Sequence, residues 1–356
     1  MSHSETAARI AAHVSRYPRL QPTDLLKFLH QSAFGCGHLI GQPEAAEDWL
    51  RQEMASCAKV EDRGIEALDG GFCRVHLSHL RALGVSPHSF ARLFAISAEK
   101  TTGTIDALET RLQTALDMAQ QGLLPFSYDD FWAAAEDWRR QGFPARHHSE
   151  EFRAAYAPAY RVMPRSHADL LALLAAIDAK LASQARTVVA IEGGAGSGKS
   201  TLAALLERIY SCTVLHMDDF FLRPEQRTSE RYATPGGNVD HERFLTEVVA
   251  PLRRGETFCC RPFDCATFTV TEGYDVTPAA LTVVEGCYSM HPALRSYYDL
   301  AVWVAIDPQT QRARIEKRNT PEFARRFFDT WIPLEQAYFA AFDPAARCDL
   351  RLEVDL

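Results

Sequence analysis

The chain has 356 residues, 47% hydrophobic and 24% charged, which suits a globular protein of about two domains. Its formal net charge of −8 argues against a sequence-independent nucleic-acid binder, which needs a basic surface to displace counterions. No apolar run approaches the ~18 residues of a membrane span and residues 1–9 lack a signal-peptide pattern, so a soluble, cytoplasmic protein is expected.

The nine cysteines, Cys36, Cys57, Cys73, Cys212, Cys259, Cys260, Cys265, Cys287 and Cys348, form an odd set without framework spacing and read as reduced thiols. Through residues 1–183 the apolar spacing is helical and strand-like alternation is scarce, so an all-α domain is expected there. Helices are expected over residues 7–17, 23–34, 44–56, 87–99 and 105–121. Ser127 and Asp130 resemble a capping box before residues 131–138, Ser149 caps another helix, and Ser166 starts one reaching Leu181.

His30, Cys36 and His38, with Cys73, His76 and His79, are metal-capable. Neither segment has paired zinc-site spacing, and satisfied or exposed histidines are the simpler expectation. The glycines at 35, 37 and 41 make either a tight turn or a loop hugging a ligand. His147 and His148 read as loop; Tyr156, Tyr160 and Arg161 are open between facing a ligand and packing.

Near residue 184 the helical period gives way to a β-branched run, which sets domains of 1–183 and 184–356. Strands are expected over residues 187–192, 212–217, 281–285, 300–306 and 349–354, and helices over 201–210, 244–254, 309–318 and 323–342. This alternation predicts an α/β domain with a parallel sheet covered by helices on both faces, ligands binding at the carboxyl ends of the strands.

Between the first strand and first helix, Gly193-x-x-x-x-Gly198-Lys199-Ser200 completes a P-loop pattern. Its glycines let backbone N–H groups close around phosphate oxygens, Lys199 adds a point charge, and Ser200 offers a hydroxyl to Mg²⁺. The helix start turns its positive end to the same place. Gly193, Gly194, Ala195, Gly196, Ser197, Gly198, Lys199, Ser200 and Thr201 are therefore the expected nucleotide-binding residues. The next strands end in Asp218-Asp219 and in Glu285, carboxylates suited to taking a proton from an acceptor hydroxyl and to holding Mg²⁺ through its waters.

Residues 184–356 resemble the uridine kinase and phosphoribulokinase group of P-loop kinases. His216-Met-Asp218-Asp219-Phe-Phe221 matches that group's strand-end motif, which implies Asp218 as general base. Asn238-Val-Asp240-His241 resembles its sugar-hydroxyl segment, and Arg261-Pro-Phe263-Asp264 stands at its Pro-x-Tyr-Asp element, implying Asp240, Arg261 and Phe263 at the substrate. Val284-Glu285-Gly286 is similar to its Glu-Gly turn near magnesium. Residues 307–319 align on its lid helix, which implies that Arg314 and Arg318 bind phosphate, while Arg312 lies on the helix's other side. Asn319 in place of Asp and Phe263 in place of Tyr depart from uridine kinases, as does the second carboxylate of Asp219, whose Asp-Asp-Phe form is closer to glycerate kinases.

The resemblance implies an ATP- and Mg²⁺-dependent kinase acting on a hydroxyl of a small metabolite, with a nucleoside as the first expectation and a sugar or hydroxy acid such as glycerate as the alternative. A nucleotide-dependent regulatory ATPase is the rival from another class, and a kinase acting on a nucleic-acid end another. For the helical half, closing over the acceptor, forming a homo-oligomer interface and binding a separate ligand all stand open.

Overall fold

The structure, a computed structural model, describes residues 3–35, 43–99 and 103–353. Cys36, Gly37, His38, Gly41 and Val354, the last residue of the expected final strand, lie outside the described residues. The chain divides into two compact units, Met1–Ala175 and Ala176–Leu356, the division falling inside the helix Leu171–Ser183.

The first unit is helix-rich but not all-helical. Besides helices such as His3–Arg16, Pro22–Phe34, Pro87–Ala98, Ile105–Gln120 and Tyr128–Arg140, it holds a three-stranded antiparallel sheet of β1 (Ile65–Ala67), β2 (Phe72–His76) and β3 (Tyr160–Pro164), in that order. All five residues of β2 are buried, so no polar-apolar alternation advertises it, and its partner β3 lies far along the chain. Helix starts follow local chemistry: the hydroxyls of Ser86, Thr104, Ser127 and Ser149 each accept a first-turn amide. Phe28, Phe90, Phe131, Trp138 and Phe152 are fully buried and anchor the core.

The second unit is built on a five-stranded sheet. Its strands, in chain order, are β4 (Thr187–Glu192), β5 (Thr213–His216), β10 (Leu281–Glu285), β11 (Leu300–Val304) and β12 (Leu350–Leu352), ordered β12-β11-β4-β10-β5 in space and parallel at every pairing. The β-branched, almost wholly buried residues of β4, β10 and β11 are what the centre of a parallel sheet covered on both faces requires. The helices Lys199–Tyr210, Pro308–Arg318 and Ile332–Phe342 belong to the same unit, and Asp307 caps the second of them by accepting from Gln309 and Thr310. Between β5 and β10 run two short antiparallel ribbons, β6 (Phe258–Cys260) with β9 (Tyr274–Val276) and β7 (Phe263–Asp264) with β8 (Thr269–Val270). The helices expected over 244–254 and 323–342 form with a π turn inside each, at Leu245–Val249 and Phe327–Trp331.

Candidate active site

β4 and β10 are paired in register from Leu281↔Thr187 to Glu285↔Ile191, so the glycine loop after β4 and Glu285 at the end of β10 emerge side by side. β5 pairs on the other edge of β10, with His216 opposite Glu285. Backbone chemistry fixes the loop. A Cβ at Gly193 would lie 2.4 Å from the Val304 carbonyl oxygen, and Gly198, at φ 100°, holds the left-handed turn that opens the helix Lys199–Tyr210.

Lys199 is buried and its Nζ donates to the Gly194 carbonyl at 3.0 Å. Ser200 Oγ donates to Glu285 Oε1 at 3.0 Å, and His216 Nδ1 lies 2.6 Å from the same oxygen. Burial opposes ionisation of Glu285, but the His216 hydrogen bond and the Lys199 charge outweigh it and hold its carboxyl below the usual range. The same hydrogen bond raises the His216 imidazole above its ordinary value.

Asp218 follows in the 3₁₀ turn Met217–Phe220. Protein surrounds it on most sides, although solvent still reaches its carboxylate through the cleft. Its pKa rises above the ordinary value, chiefly from burial and further from the charge of Glu285, against the pull of Lys199, His216 and Arg318. Arg314 Nη1 donates to the Gly196 carbonyl at 3.2 Å, and the Arg318 guanidinium lies 5.4 Å from the Phe327 ring centroid. Lys199, Ser200, Thr201, Asp218, Glu285, Arg314 and Arg318 all wall one cleft of about 1340 Å³. A glycine-rich loop with a buried lysine, a hydroxyl beside a carboxylate, a further carboxylate of raised proton affinity and two arginines thus share one volume.

No family model matches the chain. Uridine kinases of Staphylococcus aureus strains JH9 and Newman are each 28% identical to it over 153 residues, spanning 40% of this chain and 72% of the relative. The second unit is a uridine kinase-like P-loop kinase region. Among solved structures, one described as a possible uridine kinase from Bacillus stearothermophilus is similar at 21% identity and a TM-score of 0.39, covering 51% of this chain and 99% of that one. TT1252 from Thermus thermophilus is similar at 19% identity and a TM-score of 0.27, covering 49% and 91%.

In the kinase unit, not every motif residue reaches the cleft. Asp240 is 1% exposed and does not line it: Oδ1 caps the helix His241–Phe244 by accepting from Arg243 N, and Oδ2 lies 3.6 Å from Arg223 Nε. Asn238, two residues earlier, does line it. Arg261 is exposed and paired with Glu247, away from the cleft wall, and Phe263 is buried beneath the Arg227 guanidinium at 5.3 Å. Asp219 likewise does not line the cleft, while Asp218 does. Arg312 is an outer charge, paired with Glu316 and resting on the Phe328 ring at 4.1 Å.

Three residues that no motif marked hold the loop in place. Glu335, on the helix Ile332–Phe342, accepts from Ala195 N at 3.0 Å, and Gln311 Nε2 donates to the Ala195 carbonyl at 2.9 Å. Glu192, fully buried, accepts from the backbone N–H of Gly193, Tyr288 and Met290 and from the Tyr338 hydroxyl. Burial pushes its carboxyl up to about 7 against the pull of those donors. It thereby ties the start of the P-loop to Tyr288, a cleft-lining residue at φ 75°. Glu335 and Ala195 are 140 positions apart, which puts their contact beyond any local sequence signal.

The first unit holds a buried polar network of its own. His13 Nδ1 lies 2.6 Å from Glu66 Oε1, and Arg74, 0% exposed, donates to Gln31 at 2.9 Å and pairs with Glu66 at 3.4 Å. His148, expected as loop, does lie between helices but is buried between Asp24 at 2.8 Å and the Tyr160 hydroxyl at 2.6 Å. Among the described residues no three metal-capable side chains converge; His79 pairs with Asp62, and burial pushes the Cys73 thiol up to about 12. The described cysteines are all free thiols, and among the described residues no helix is long and apolar enough to cross a membrane.

Proposed function

We propose that the kinase unit transfers the γ-phosphoryl group of ATP, with Mg²⁺, to a hydroxyl of a small polar metabolite. The observation that carries the reading is the convergence of Asp218, the Ser200–Glu285 pair and Lys199 on one cleft with Arg314 and Arg318. Backbone N–H groups of the 194–199 loop, other than the Ala195 amide that Glu335 holds, bind the β- and γ-phosphates, and Lys199, Arg314 and Arg318 offset charge spreading over the transferred group. Ser200 Oγ and Glu285 Oε1, hard oxygen donors 3.0 Å apart, suit an ion that takes few protein ligands and fills its shell with water. Bound there, Mg²⁺ would neutralise phosphate charge. Asp218 orients the acceptor hydroxyl and takes its proton; a carboxylate whose proton affinity is raised by burial is the better base near neutrality.

The names of the relatives make a nucleoside the first acceptor to test, and a sugar or hydroxy acid the second. A screen of these classes for acceptor-dependent ADP release from Mg-ATP tests the reading. Release with at least one class is expected; ATP turnover that ignores every acceptor and continues in Asp218→Asn would make this a nucleotide hydrolase instead.

A further inference from the structure

Beyond Asp218 the cleft is walled by Phe221, Arg227, Tyr232, Asn238, Phe268 and Tyr288. The two other arginines of this stretch are neutralised: Arg231 by Glu242 at 2.7 Å, and Arg223 by Glu225 at 3.5 Å and Asp240 at 3.6 Å. Arg227 is different. It is half-buried, its Nε donates to the Leu222 carbonyl at 2.9 Å, and its guanidinium lies 4.7 Å from the Phe268 ring centroid and 5.3 Å from that of Phe263. Among the described residues no carboxylate pairs with it. The backbone bond and the two rings hold the fork in one orientation, so little side-chain entropy is left to lose when a ligand binds. Arg227, Asp218 and Cys265 line the same cleft.

Resting on the kinase reading above, we propose that the acceptor is a small alcohol bearing an anionic group, a carboxylate or a phosphate ester, which the Arg227 fork grips while the hydroxyl meets Asp218. A guanidinium only donates hydrogen bonds, so its complement is an edge that only accepts. Carboxylates and phosphates present such an edge with matching charge, whereas a neutral pyrimidine base mixes donors with acceptors along one side. Leaving an unpaired guanidinium in a half-buried wall also costs desolvation that a neutral acceptor would not recover. In the reaction the acceptor oxygen bonds the γ-phosphorus, the bond from that phosphorus to the β,γ-bridging oxygen breaks, ADP departs, and the acceptor proton passes to the Asp218 carboxylate.

The test uses the full chain with Mg-ATP and four acceptor classes: neutral nucleosides, neutral sugars, hydroxy acids and sugar monophosphates. ADP release is followed in wild type, Arg227→Met and Arg227→Lys. The expected result is turnover of one anionic class well above both neutral classes, the two anionic arms telling carboxylate from phosphate. Arg227→Met should then raise KM for that acceptor by about tenfold or more, the loss of a charge-assisted hydrogen bond, with a smaller fall in kcat. Arg227→Lys, which keeps the charge without the fork, should recover part of the loss. Nucleosides or neutral sugars turned over as well as any anionic acceptor, with KM indifferent to Arg227→Met, would overturn the anionic assignment and leave the kinase reading standing. No acceptor-dependent release from any class would overturn both.

Discussion

Replacing Glu192 by Gln removes the tie between the P-loop and the acceptor side of the cleft while leaving shape almost unchanged. Oε1 accepts from Gly193 N at 3.0 Å and Tyr288 N at 3.1 Å; Oε2 accepts from Met290 N at 2.9 Å and the Tyr338 hydroxyl at 3.2 Å. A glutamine keeps one acceptor oxygen and turns the other position into a donor. The Tyr338 hydroxyl can reverse, but the amides cannot, so either orientation sets at least one buried N–H against an NH₂ group. A buried donor left without an acceptor costs ~1–3 kcal/mol, which makes about 2 kcal/mol the expected loss. For a unit of this size that corresponds to a melting shift of roughly 4–8 °C. Because folding raises this carboxyl from 4.5 to about 7, wild type loses stability as the pH rises above about 4.5 while the non-titrating glutamine does not, so the comparison belongs near pH 5, where that difference is small. Calorimetry of the full chain, with the kinase transition recognised by its upward shift on adding Mg-ATP, reads the effect. The Glu192→Gln variant should also show weaker acceptor turnover, because Tyr288 at φ 75° loses its anchor. A kinase transition within about 1 °C of wild type would refute the reasoning.

Three further outcomes follow from the same geometry. Lys199→Ala should lower kcat by about a hundredfold or more, several kcal/mol of transition-state stabilisation, as measured by ADP release at saturating ATP; near-normal turnover would remove Lys199 from the site. Gly193→Ala should destabilise the kinase unit and impair ATP binding, measured by titration, because the new Cβ would sit 2.4 Å from the Val304 carbonyl. In the first unit, burial and then the Arg74 charge lower His13 from 6.5 to about 4, so it is neutral when folded and protonates readily when unfolded. The stability this provides is complete above pH 6.5 and is lost as pH falls toward 4, by up to about 3 kcal/mol. His13→Gln, which keeps a donor for Glu66 but does not titrate, should flatten that part of the unfolding profile between pH 7.5 and 4.5.

What the sequence made legible was local. The β-branched runs of β4, β10 and β11 and the glycine spacing of 193–198 each carry their signal within a few residues, and parallel pairing then brings Asp218, Glu285 and the loop to one edge. What it hid depended on distant partners. β1, β2 and β3 are short, and β2 is buried on both faces, so the antiparallel sheet of the first unit left no periodic trace. His148 looked like loop because nothing nearby reveals that Asp24 and Tyr160 enclose it. Asp240 fitted a ligand-binding motif, yet its carboxylate caps a helix and faces two arginines, which its neighbours in sequence do not disclose. Arg227 went unnoticed for the opposite reason: what distinguishes it from Arg223 and Arg231 is the absence of an acid that only the folded chain brings to the others.

The central claim, that Asp218 activates a hydroxyl for phosphoryl transfer, is tested most directly by comparing Asp218→Asn with Asp219→Asn in acceptor-dependent ADP release, with ATP binding measured in parallel. The geometry predicts that Asp218→Asn abolishes transfer while ATP still binds and that Asp219→Asn retains most of it. Loss of transfer in Asp219→Asn with Asp218→Asn still active would contradict it.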